Sequence, residues 1–468
     1  MAGLRGGSGK TIMSIGLIRA WRKSGRFVSP FKKGPDYIDA GWLALAAGRP
    51  CYNLDTFLVD KPHVLKSFLN HTGPDHFAVV EGNRGLYDGI DPEGSTSSAE
   101  VAKLLSAPVI LCVDCTKTTR TMAAVISGCI HFDSRVRISG VILNRVAGSR
   151  HEKILRESIE SYCGIPVVGA VPKLDRQQFP ERHMGLVPTP EHALSQAAVD
   201  AAGQMASSYL DLDGLAEIAL NAGPISSISP EVFQNPADPA NKKVSADYSI
   251  SNGKPRIGIL RDSAFQFYYP DNIEALTAAG AEPVFINACK DVTLPPVDGL
   301  YIGGGFPETH ARALCRNLDF IRDLKAAAEA GLPIYAECGG LMYLGESLVI
   351  GGATYPMAGV LPIVFGLCDR PQGLGYTILK VDGENPYYPV GTEIRGHEFR
   401  YSKVLEWRGR ADDMVLGMRR GTGFIDRRDG ITYKNVFATY THIHALGVPT
   451  WAESMVANAG AYRERSSK

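Results

Sequence analysis

Short apolar runs and longer amphipathic segments alternate along the first 222 residues of the chain. The apolar runs are bounded by polar residues, glycine or proline, as buried strands are, and stand at 77–80, 108–113, 139–143 and 166–170. Between them, apolar residues recur every three or four positions in 119–130 and 151–162, which predicts helices. This alternation is typical of βαβ units, in which helices cover both faces of a parallel sheet.

The alternation stops between Ala222 and Lys254, where four prolines and six serines accompany few large apolar residues. A second α/β series then begins with the apolar run 255–260 and continues with strands predicted at 297–302 and 333–336 and a helix at 317–330. We therefore expect an α/β protein of two domains, residues 1–222 and 255–468, joined by a linker at 223–254.

The amino-acid composition argues against several classes of protein. The chain of 468 residues has 49 basic and 49 acidic residues and hence no formal net charge, which argues against nucleic acid or an anionic membrane as the main partner. No apolar stretch approaches the ~18 residues of a spanning helix, and the chain does not open on a secretory signal. The nine cysteines are odd in number and scattered, as reduced thiols are, so we expect a cytoplasmic protein.

The first chemical signal is the sequence GLRGGSGKT at 3–11. In such a loop the backbone N–H groups of Gly6, Gly7, Ser8 and Gly9 face phosphate oxygens, Lys10 lies against the β- and γ-phosphates, and Thr11 offers a hydroxyl to Mg²⁺. Leu4 stands where the strict pattern has a glycine, and a plain glycine-rich turn is the competing interpretation. We predict a nucleotide site.

The strand that should precede this loop is unusually short. Only Met1 and Ala2 come before Gly3, whereas a strand usually has about five or six residues. Either the start of the chain is cut short or the domain tolerates a stunted central strand.

Acidic residues cluster close to the predicted phosphate site. Asp36 and Asp39 bracket Tyr37 and Ile38 on a segment expected to be a loop, since Gly34-Pro35 interrupts regular structure. These carboxylates can hold Mg²⁺ or orient a substrate, and a solvated acidic turn is the alternative.

Two further polar residues follow predicted strands. Glu81 comes directly after the strand ending at Val80, at the sheet edge where ligands collect, so we expect it to bind metal. Asn144 ends another predicted strand, where its amide either reads an adenine edge or has only a local role.

The second half carries the signature of a nucleophile elbow. Cys338 follows an apolar strand and precedes two glycines, an arrangement that exposes a thiol at the start of a helix and favours its thiolate. Gly304 and Gly305 end an earlier strand and offer N–H groups to an oxyanion. A buried cysteine under a turn is the alternative.

The histidine partner of this cysteine is not decided by the local pattern. His442 and His444 alternate on a predicted strand and share one face, so only one of them is expected to reach the thiol. His397 is a third candidate, better suited to a structural or substrate-side position.

Together these segments resemble the cobyrinate a,c-diamide synthase family over nearly the whole chain. The resemblance rests on ten segments in order: GGSGKT, FKKGPDYIDAGW, GRPCYNLD, EGNRGLYDG, GVILNRV, RHMGLVPTPEH, GGGFPE, YAECGGLMYL, RGHEFRYS and YTHIHALG. It implies a P-loop NTPase-like parallel-sheet domain, similar to dethiobiotin synthetase, followed by a class I glutamine amidotransferase-like α/β domain.

The resemblance also implies roles for individual residues. Cys338 corresponds to the glutaminase nucleophile and His442 to the histidine that activates it. Ordinary class I amidotransferases have a glutamate two residues further on, where this chain has His444, so we expect a Cys–His dyad without a third member. In the first domain, Asp36, Tyr37 and Ile38 correspond to the corrinoid pocket, and Asp39 and Glu81 to catalytic acids near Mg²⁺.

The implied activity is a C–N ligase reaction on the a and c carboxylates of cobyrinate. ATP activates each carboxylate as an acyl phosphate, Mg²⁺ assists, and ammonia comes from L-glutamine, along a shielded path between the domains. Nickel-sirohydrochlorin or hydrogenobyrinate as substrate, and a non-catalytic ATP-switch protein, are the alternatives. No nucleic acid or membrane is expected as a partner, and a homodimer stays open.

Overall fold

The computed structural model describes residues 1–173, 195–223 and 253–466, together with 181–182, 185–186, 188–189 and 225. The chain divides into two units, Met1–Phe233 and Gln234–Lys468. Most of the linker predicted at 223–254 and most of the RHMGLVPTPEH segment lie outside the described residues, so both stay predictions. None of the described helices combines the length and apolar character needed to cross a bilayer.

The first unit alternates strands and helices. Its strands are β1 (Ala2–Gly3), β2 (Phe27–Lys33), β3 (Tyr52–Leu54), β4 (His76–Glu81), β5 (Val109–Asp114), β6 (Ile138–Val146), β7 (Val167–Pro172), β8 (Glu181–Arg182) and β9 (Gly185–Leu186). Its helices are α1 (Lys10–Lys23), α2 (Ile38–Ala47), α3 (Lys61–His71), α4 (Ser98–Leu104), α5 (Thr121–Phe132), α6 (Ser149–Cys163), α7 (Ser195–Tyr209) and α8 (Leu212–Leu220).

The four strands and two helices predicted from the apolar pattern of this half are confirmed as β4 to β7, α5 and α6, with bounds shifted by one to three residues. β3-β2-β4 and β1-β5-β6-β7 form two parallel sheets. The shift in bounds is greatest for β6, which continues past its apolar run because pairing with β7 extends as far as Val146.

β1 joins the two sheets although it has only two residues. It pairs with β5, and on the other side the Met1 amino group donates to the Val80 carbonyl at 2.8 Å and the Gly82 N–H donates to the Met1 carbonyl at 2.8 Å. The short central strand leaves an apolar cavity of about 550 Å³ lined by residues of β4 and β5. The phosphate loop thus follows the central strand of the unit.

The second unit also confirms the predicted α/β organisation. Its helices are α9 (Pro270–Ala278), α10 (Ala311–Arg316), α11 (Leu318–Glu329), α12 (Gly339–Leu344) and α13 (Thr450–Ser466), with 3₁₀ turns at Ala411–Asp413 and Ala445–Gly447. Its strands are β10 (Arg256–Leu260), β11 (Phe265–Phe267), β12 (Glu282–Ile286), β13 (Gly299–Ile302), β14 (Gly304–Gly305), β15 (Ile334–Glu337), β16 (Ser347–Ile350), β17 (Ala353–Pro356), β18 (Ile363–Leu367), β19 (Gly373–Val381), β20 (Glu393–Arg400), β21 (Ser402–Trp407), β22 (Met414–Arg420), β23 (Arg428–Tyr433), β24 (Val436–Thr439) and β25 (His442–Ile443).

A ten-stranded sheet dominates this unit, in the order β12-β10-β13-β15-β24-β23-β22-β19-β20-β25. The first five strands are parallel and the remaining pairings are antiparallel. Helix α11 covers it with Phe320, Leu324 and Ala328, which are spaced by four residues and buried on one face. The carboxyl ends of the parallel strands carry the glycines after β13 and the cysteine after β15, so they converge at one sheet edge.

Two candidate active sites

The phosphate loop lies between β1 and α1, and one glycine in it is required by its surroundings. Gly9 has a φ of 93°, in the left-handed region, and a Cβ there would lie 2.3 Å from Nδ2 of Asn144. Gly6 and Gly7 are exposed and Ser8 is buried, with its hydroxyl donating to the Arg5 carbonyl at 2.9 Å. The loop therefore has the exposed backbone that the sequence predicts for phosphate binding.

Lys10 is buried at the first position of α1. Its ammonium donates to the carbonyls of Arg5 at 3.0 Å and Arg84 at 2.9 Å. Burial lowers the pKa of Lys10, and Lys32 lowers it further. Both carbonyl partners are neutral, so a phosphate would be the stronger partner for this charge.

Asn144 supports the phosphate loop through a hydrogen bond. Its Nδ2 donates to the Ser8 carbonyl at 2.9 Å, and its Oδ1 accepts the N–H of Arg145 at 2.9 Å. Both ends of the amide are therefore engaged within the protein, which favours a positioning role for the loop over the adenine contact weighed from the sequence.

The carboxylates of Asp39 and Glu81 meet close to Thr11. The Thr11 hydroxyl donates to Glu81 Oε1 at 2.9 Å and lies 3.5 Å from Asp39 Oδ2. These residues come from the first turns of α1 and α2 and from the end of β4, so the fold brings together all three predicted metal ligands.

A buried lysine stands between these acids, and its role was not predicted from the sequence. The ammonium of Lys32 lies 2.7 Å from Asp39 Oδ2 and 2.6 Å from Glu81 Oε1. Burial lowers the pKa of Lys32, but the charges of Asp39 and Glu81 outweigh it and raise this pKa above its ordinary value. Burial raises the pKa of Glu81, while Lys32 opposes that shift. Lys32 thus holds the two carboxylates together.

The donor set suits Mg²⁺ in its chemistry. In the described part of the chain, no three His, Cys, Asp or Glu side chains are grouped as metal ligands, so a dedicated protein cage is absent there. Mg²⁺ usually binds through one or two carboxylates plus substrate phosphates and water, which two acids and a hydroxyl beside a phosphate loop would allow. Glu81 Oε2 is buried and has no hydrogen-bond partner among the described residues, so it can accept a ligand.

The segment predicted to shape a substrate pocket begins α2. Asp36 and Tyr37 precede the helix, as expected of a loop, but Ile38 and Asp39 lie in its first turn, so the prediction of a loop through Asp39 is wrong. The reason is that Asp36 Oδ1 accepts the Asp39 N–H at 2.8 Å and starts the helix three residues after Pro35. Burial and the nearby Asp39 raise the pKa of Asp36 to about 7.

In the second unit, Cys338 forms the elbow between β15 and α12. Its φ is 46° and its ψ is −96°, a strained conformation for a residue with a side chain, and it is buried. The Cys338 N–H donates to the Thr439 carbonyl at 2.7 Å, which fixes the turn against β24. The elbow expected from the sequence is present.

His442 faces this cysteine. Burial lowers the pKa of His442, but its hydrogen bonds with Cys338 and Glu337, and their charges, outweigh burial and raise the pKa to about 10. Glu337 Oε2 lies 3.3 Å from His442 Nδ1. That the pair has no third member stays a prediction, and the carboxylate beside the imidazole is that of Glu337, the residue before the nucleophile.

Strand β25, which carries His442, ends before His444. β24 ends at Thr439, and His442 lies in the two-residue β25, which pairs with β20. His444 follows β25 with an extended backbone, and its Nε2 lies 3.4 Å from Asp271 Oδ2. That the two side chains share one face stays a prediction, while the hydrogen-bond partner of Cys338 is His442.

Gly304 and Gly305 form the short strand β14 beside this pair. A Cβ on Gly304 would lie 2.3 Å from His442 Cε1, so the close approach of the imidazole requires glycine. A Cβ built on Gly339, the residue after Cys338, would lie 3.0 Å from the Gly305 nitrogen, which places that amide beside the elbow. His397 stacks on His442 with ring centroids 4.9 Å apart.

Each half of the chain matches a known protein family. Residues 1–187 match the family of the CobQ/CobB/MinD/ParA nucleotide binding domain, and residues 256–449 match the CobB/CobQ-like glutamine amidotransferase domain. A protein of Magnetococcus marinus named cobyrinate a,c-diamide synthase is 45% identical over 99% of this chain and 96% of its own length. Proteins of the same name from Archaeoglobus fulgidus and Listeria innocua are each 38% identical, over 98% and 95% of this chain and 96% and 95% of theirs.

Proposed function

Because this chain belongs to the cobyrinate a,c-diamide synthase family of glutamine-dependent ligases, we propose that it converts the a and c side-chain carboxylates of cobyrinate to amides with ATP and L-glutamine. The observation that carries the proposal is that one chain holds both a phosphate loop with two adjacent acids and a cysteine–histidine pair at a strand–helix elbow. A ligase that takes nitrogen from glutamine needs both.

The first unit would activate the carboxylate. A carboxylate oxygen attacks the γ-phosphorus of ATP, and the bond from that phosphorus to the oxygen of the β-phosphate breaks. ADP departs, and the substrate becomes an acyl phosphate. Lys10 would neutralise charge on the transferring phosphoryl group, with the N–H groups of the loop. Thr11, Asp39 and Glu81 would hold Mg²⁺, which supplies further charge neutralisation.

Lys32 would keep Asp39 and Glu81 in place while the nucleotide binds. Two carboxylates this close repel each other unless a cation lies between them, and the buried ammonium at 2.7 and 2.6 Å provides it. Ammonia then attacks the acyl carbon, and inorganic phosphate leaves with the electrons of its bond.

Asp36, Tyr37 and Ile38 would position the corrinoid carboxylate. An ionised acid would repel this substrate, but the pKa of Asp36 near 7 keeps a large fraction of the acid protonated at neutral pH. A protonated carboxyl can donate a hydrogen bond to the substrate carboxylate. Asn144 would act on the nucleotide indirectly, because its amide holds the Ser8 carbonyl of the phosphate loop in place.

The second unit would release the ammonia. Cys338 attacks the side-chain amide carbon of glutamine, and the N–H groups at Gly304 and Gly305 would hold the oxyanion. His442 delivers a proton to the departing nitrogen, and water then hydrolyses the thioester to glutamate. The raised pKa of His442 keeps a proton available for this step at neutral pH.

A cytoplasmic location is part of the proposal. ATP and glutamine are metabolites of the cell interior, and the nine cysteines are free thiols, as in a reducing compartment. The proposed partners are the small molecules alone.

The experiment that tests the proposal incubates the chain with ATP, Mg²⁺, glutamine and one of three tetrapyrroles: cobyrinate, hydrogenobyrinate or nickel-sirohydrochlorin. Mass spectrometry counts the amides gained, and we expect two on cobyrinate with two ATP hydrolysed. Faster amidation of another tetrapyrrole would reassign the substrate. ATP binding without any amide product would favour a non-catalytic switch protein.

A further inference from the structure

Glu337 is the residue before the nucleophile and ends strand β15 with its side chain fully buried. Isolated buried carboxylates are costly, so such a group must be satisfied by donors. One of these donors is His442, whose Nδ1 lies 3.3 Å from Glu337 Oε2. The acid therefore contacts the imidazole at Nδ1.

Two other donors fix the direction of this carboxylate. The Ile443 N–H donates to Glu337 Oε1 at 3.2 Å, and the Tyr301 hydroxyl donates to Oε2 at 3.3 Å. Asn272 holds the same assembly, because its Nδ2 lies 3.2 Å from the Tyr301 hydroxyl and 3.1 Å from the Ile443 carbonyl. The carboxylate is thus oriented from β13, β25 and α9 before glutamine binds.

Among the residues that the structure describes, no other acid takes this position. His444 stands two residues after His442, where ordinary class I amidotransferases have a glutamate, and it lies beside Asp271 instead. Its Nδ1 accepts the Leu446 N–H, so its proton is on Nε2, toward Asp271. Asp271 therefore lies beside His444, whereas the carboxylate beside His442 is that of Glu337.

The other titratable groups around His442 do not stabilise its positive charge. His397 on β20 stacks on the ring, and burial, with the two neighbouring histidines, lowers the pKa of His397 well below its ordinary value. Burial raises the pKa of Tyr301 well above its ordinary value, so it donates as a neutral phenol. Glu337 and Cys338 are the acidic groups that face the ring.

We infer that Glu337 is a positioning residue that completes a Cys338–His442–Glu337 triad, with the acid supplied by the strand before the nucleophile. By accepting a hydrogen bond from Nδ1, it fixes the tautomer that leaves Nε2 for the thiol. In the resting pair Nε2 holds the proton taken from Cys338, and the carboxylate stabilises this imidazolium beside the thiolate. This inference deepens the proposed glutaminase half and rests on it.

The test is Glu337→Gln in the full chain, which keeps the size of the side chain and removes its charge. We expect kcat for glutamate release from glutamine to fall about 100-fold, with KM changed less than about three-fold. The rate of Cys338 alkylation by iodoacetamide, followed by peptide mass spectrometry, should reach its pH midpoint at least about one unit higher than in the unmodified chain.

Asp271→Asn is the matched control, because it neutralises a buried carboxylate beside the neighbouring histidine. We expect its kcat to stay within about two-fold of that of the unmodified chain, and its alkylation midpoint to stay within about 0.3 pH unit. An equal loss in both variants would mean that any buried charge in this region is needed for folding, and the triad would be rejected.

Tyr301→Phe keeps Glu337 and removes one donor to it, so it decides the matter if Glu337→Gln does not fold. We expect about a ten-fold lower kcat, an unchanged KM and a smaller upward shift of the alkylation midpoint. Wild-type kcat and midpoint in Tyr301→Phe, or in folded Glu337→Gln, would overturn the inference.

Failure of the inference and failure of the proposed function give different results. Amide formation from free ammonia depends on the first unit and should be unchanged in Glu337→Gln. Absence of amide product in the unmodified chain would contradict the proposed function, whereas the alkylation midpoints would still report on Glu337.

Discussion

At the scale of single residues, the most informative side chain is Lys32. It stands in an FKKG run in which either lysine could face solvent, and the sequence does not say that its strand will place it beside Glu81. The parallel register of β2 and β4 makes Lys32 and Glu81 direct neighbours. Register between strands 49 residues apart in the chain is a tertiary property, which is why local patterns predict the acid and miss the lysine.

Removing Lys32 should expose the repulsion between the acids. We expect Lys32→Met to lower the free energy of unfolding of the first unit by about 3–5 kcal/mol, since it leaves buried carboxylates without their cation. Addition of Mg²⁺ should restore part of this stability, because a divalent cation can replace the ammonium. Calorimetry with and without Mg²⁺ measures both effects.

Lys434→Met is the control for Lys32→Met. Lys434 pairs with Glu329 at 2.5 Å, but both side chains are exposed, so we expect only a small loss of stability and no response to Mg²⁺. Equal losses in the two variants would refute the account of the buried cluster.

The raised pKa of Asp36 predicts that the stability of the first unit depends on pH. Its folded pKa of about 7 is above the ordinary value of 3.8, so ionisation is disfavoured in the folded state. Its contribution to stability is therefore fully present below about pH 4 and is lost as the pH rises through 7. Relative to Asp36→Asn, the unmodified chain should lose on the order of 2 kcal/mol between pH 5 and pH 8.

Urea unfolding of both chains at the two pH values checks this prediction. A difference between them that stays constant with pH, or that grows in favour of the unmodified chain, would show that Asp36 ionises normally.

At the scale of elements, the apolar runs predicted β4 to β7 and helices α5 and α6 because burial and strand length are local signals. The start of α2 was missed because Pro35 indicated a loop. The side chain of Asp36, the next residue, accepts the Asp39 N–H, and the helix begins at Ile38. The two-residue β25 was read as part of one strand, since a break between Thr439 and His442 has no apolar signature.

The phosphate loop yields a prediction about glycine. Gly9→Ala would place a methyl group 2.3 Å from Asn144 Nδ2 at a positive φ, whereas a Cβ on Gly6 has no atom within 4 Å. We expect Gly9→Ala to lower the melting temperature of the nucleotide-free chain by several degrees and Gly6→Ala to leave it unchanged. Similar melting temperatures for both variants would mean that Asn144 does not support the loop as described.

At the scale of the whole molecule, the sequence predicted two α/β units and the membership of both in one enzyme family. Candidate groups were predictable wherever a motif is continuous in the chain, as for Lys10 or Cys338. The partners supplied across strands, such as Glu337 for His442 and Lys32 for Glu81, required the fold. Function therefore depends on local motifs, which the sequence displays, and on their neighbours, which only packing determines.

The most direct test of the whole account is amide formation by Cys338→Ala with glutamine and then with free ammonia. We expect the variant to make at most about a thousandth of the product with glutamine, since the thiolate is its only route to that nitrogen. With ammonia it should match the unmodified chain within about three-fold, because the phosphate-loop unit is intact. Continued use of glutamine, or a folded variant that ammonia does not rescue, would contradict the division of labour between the two sites.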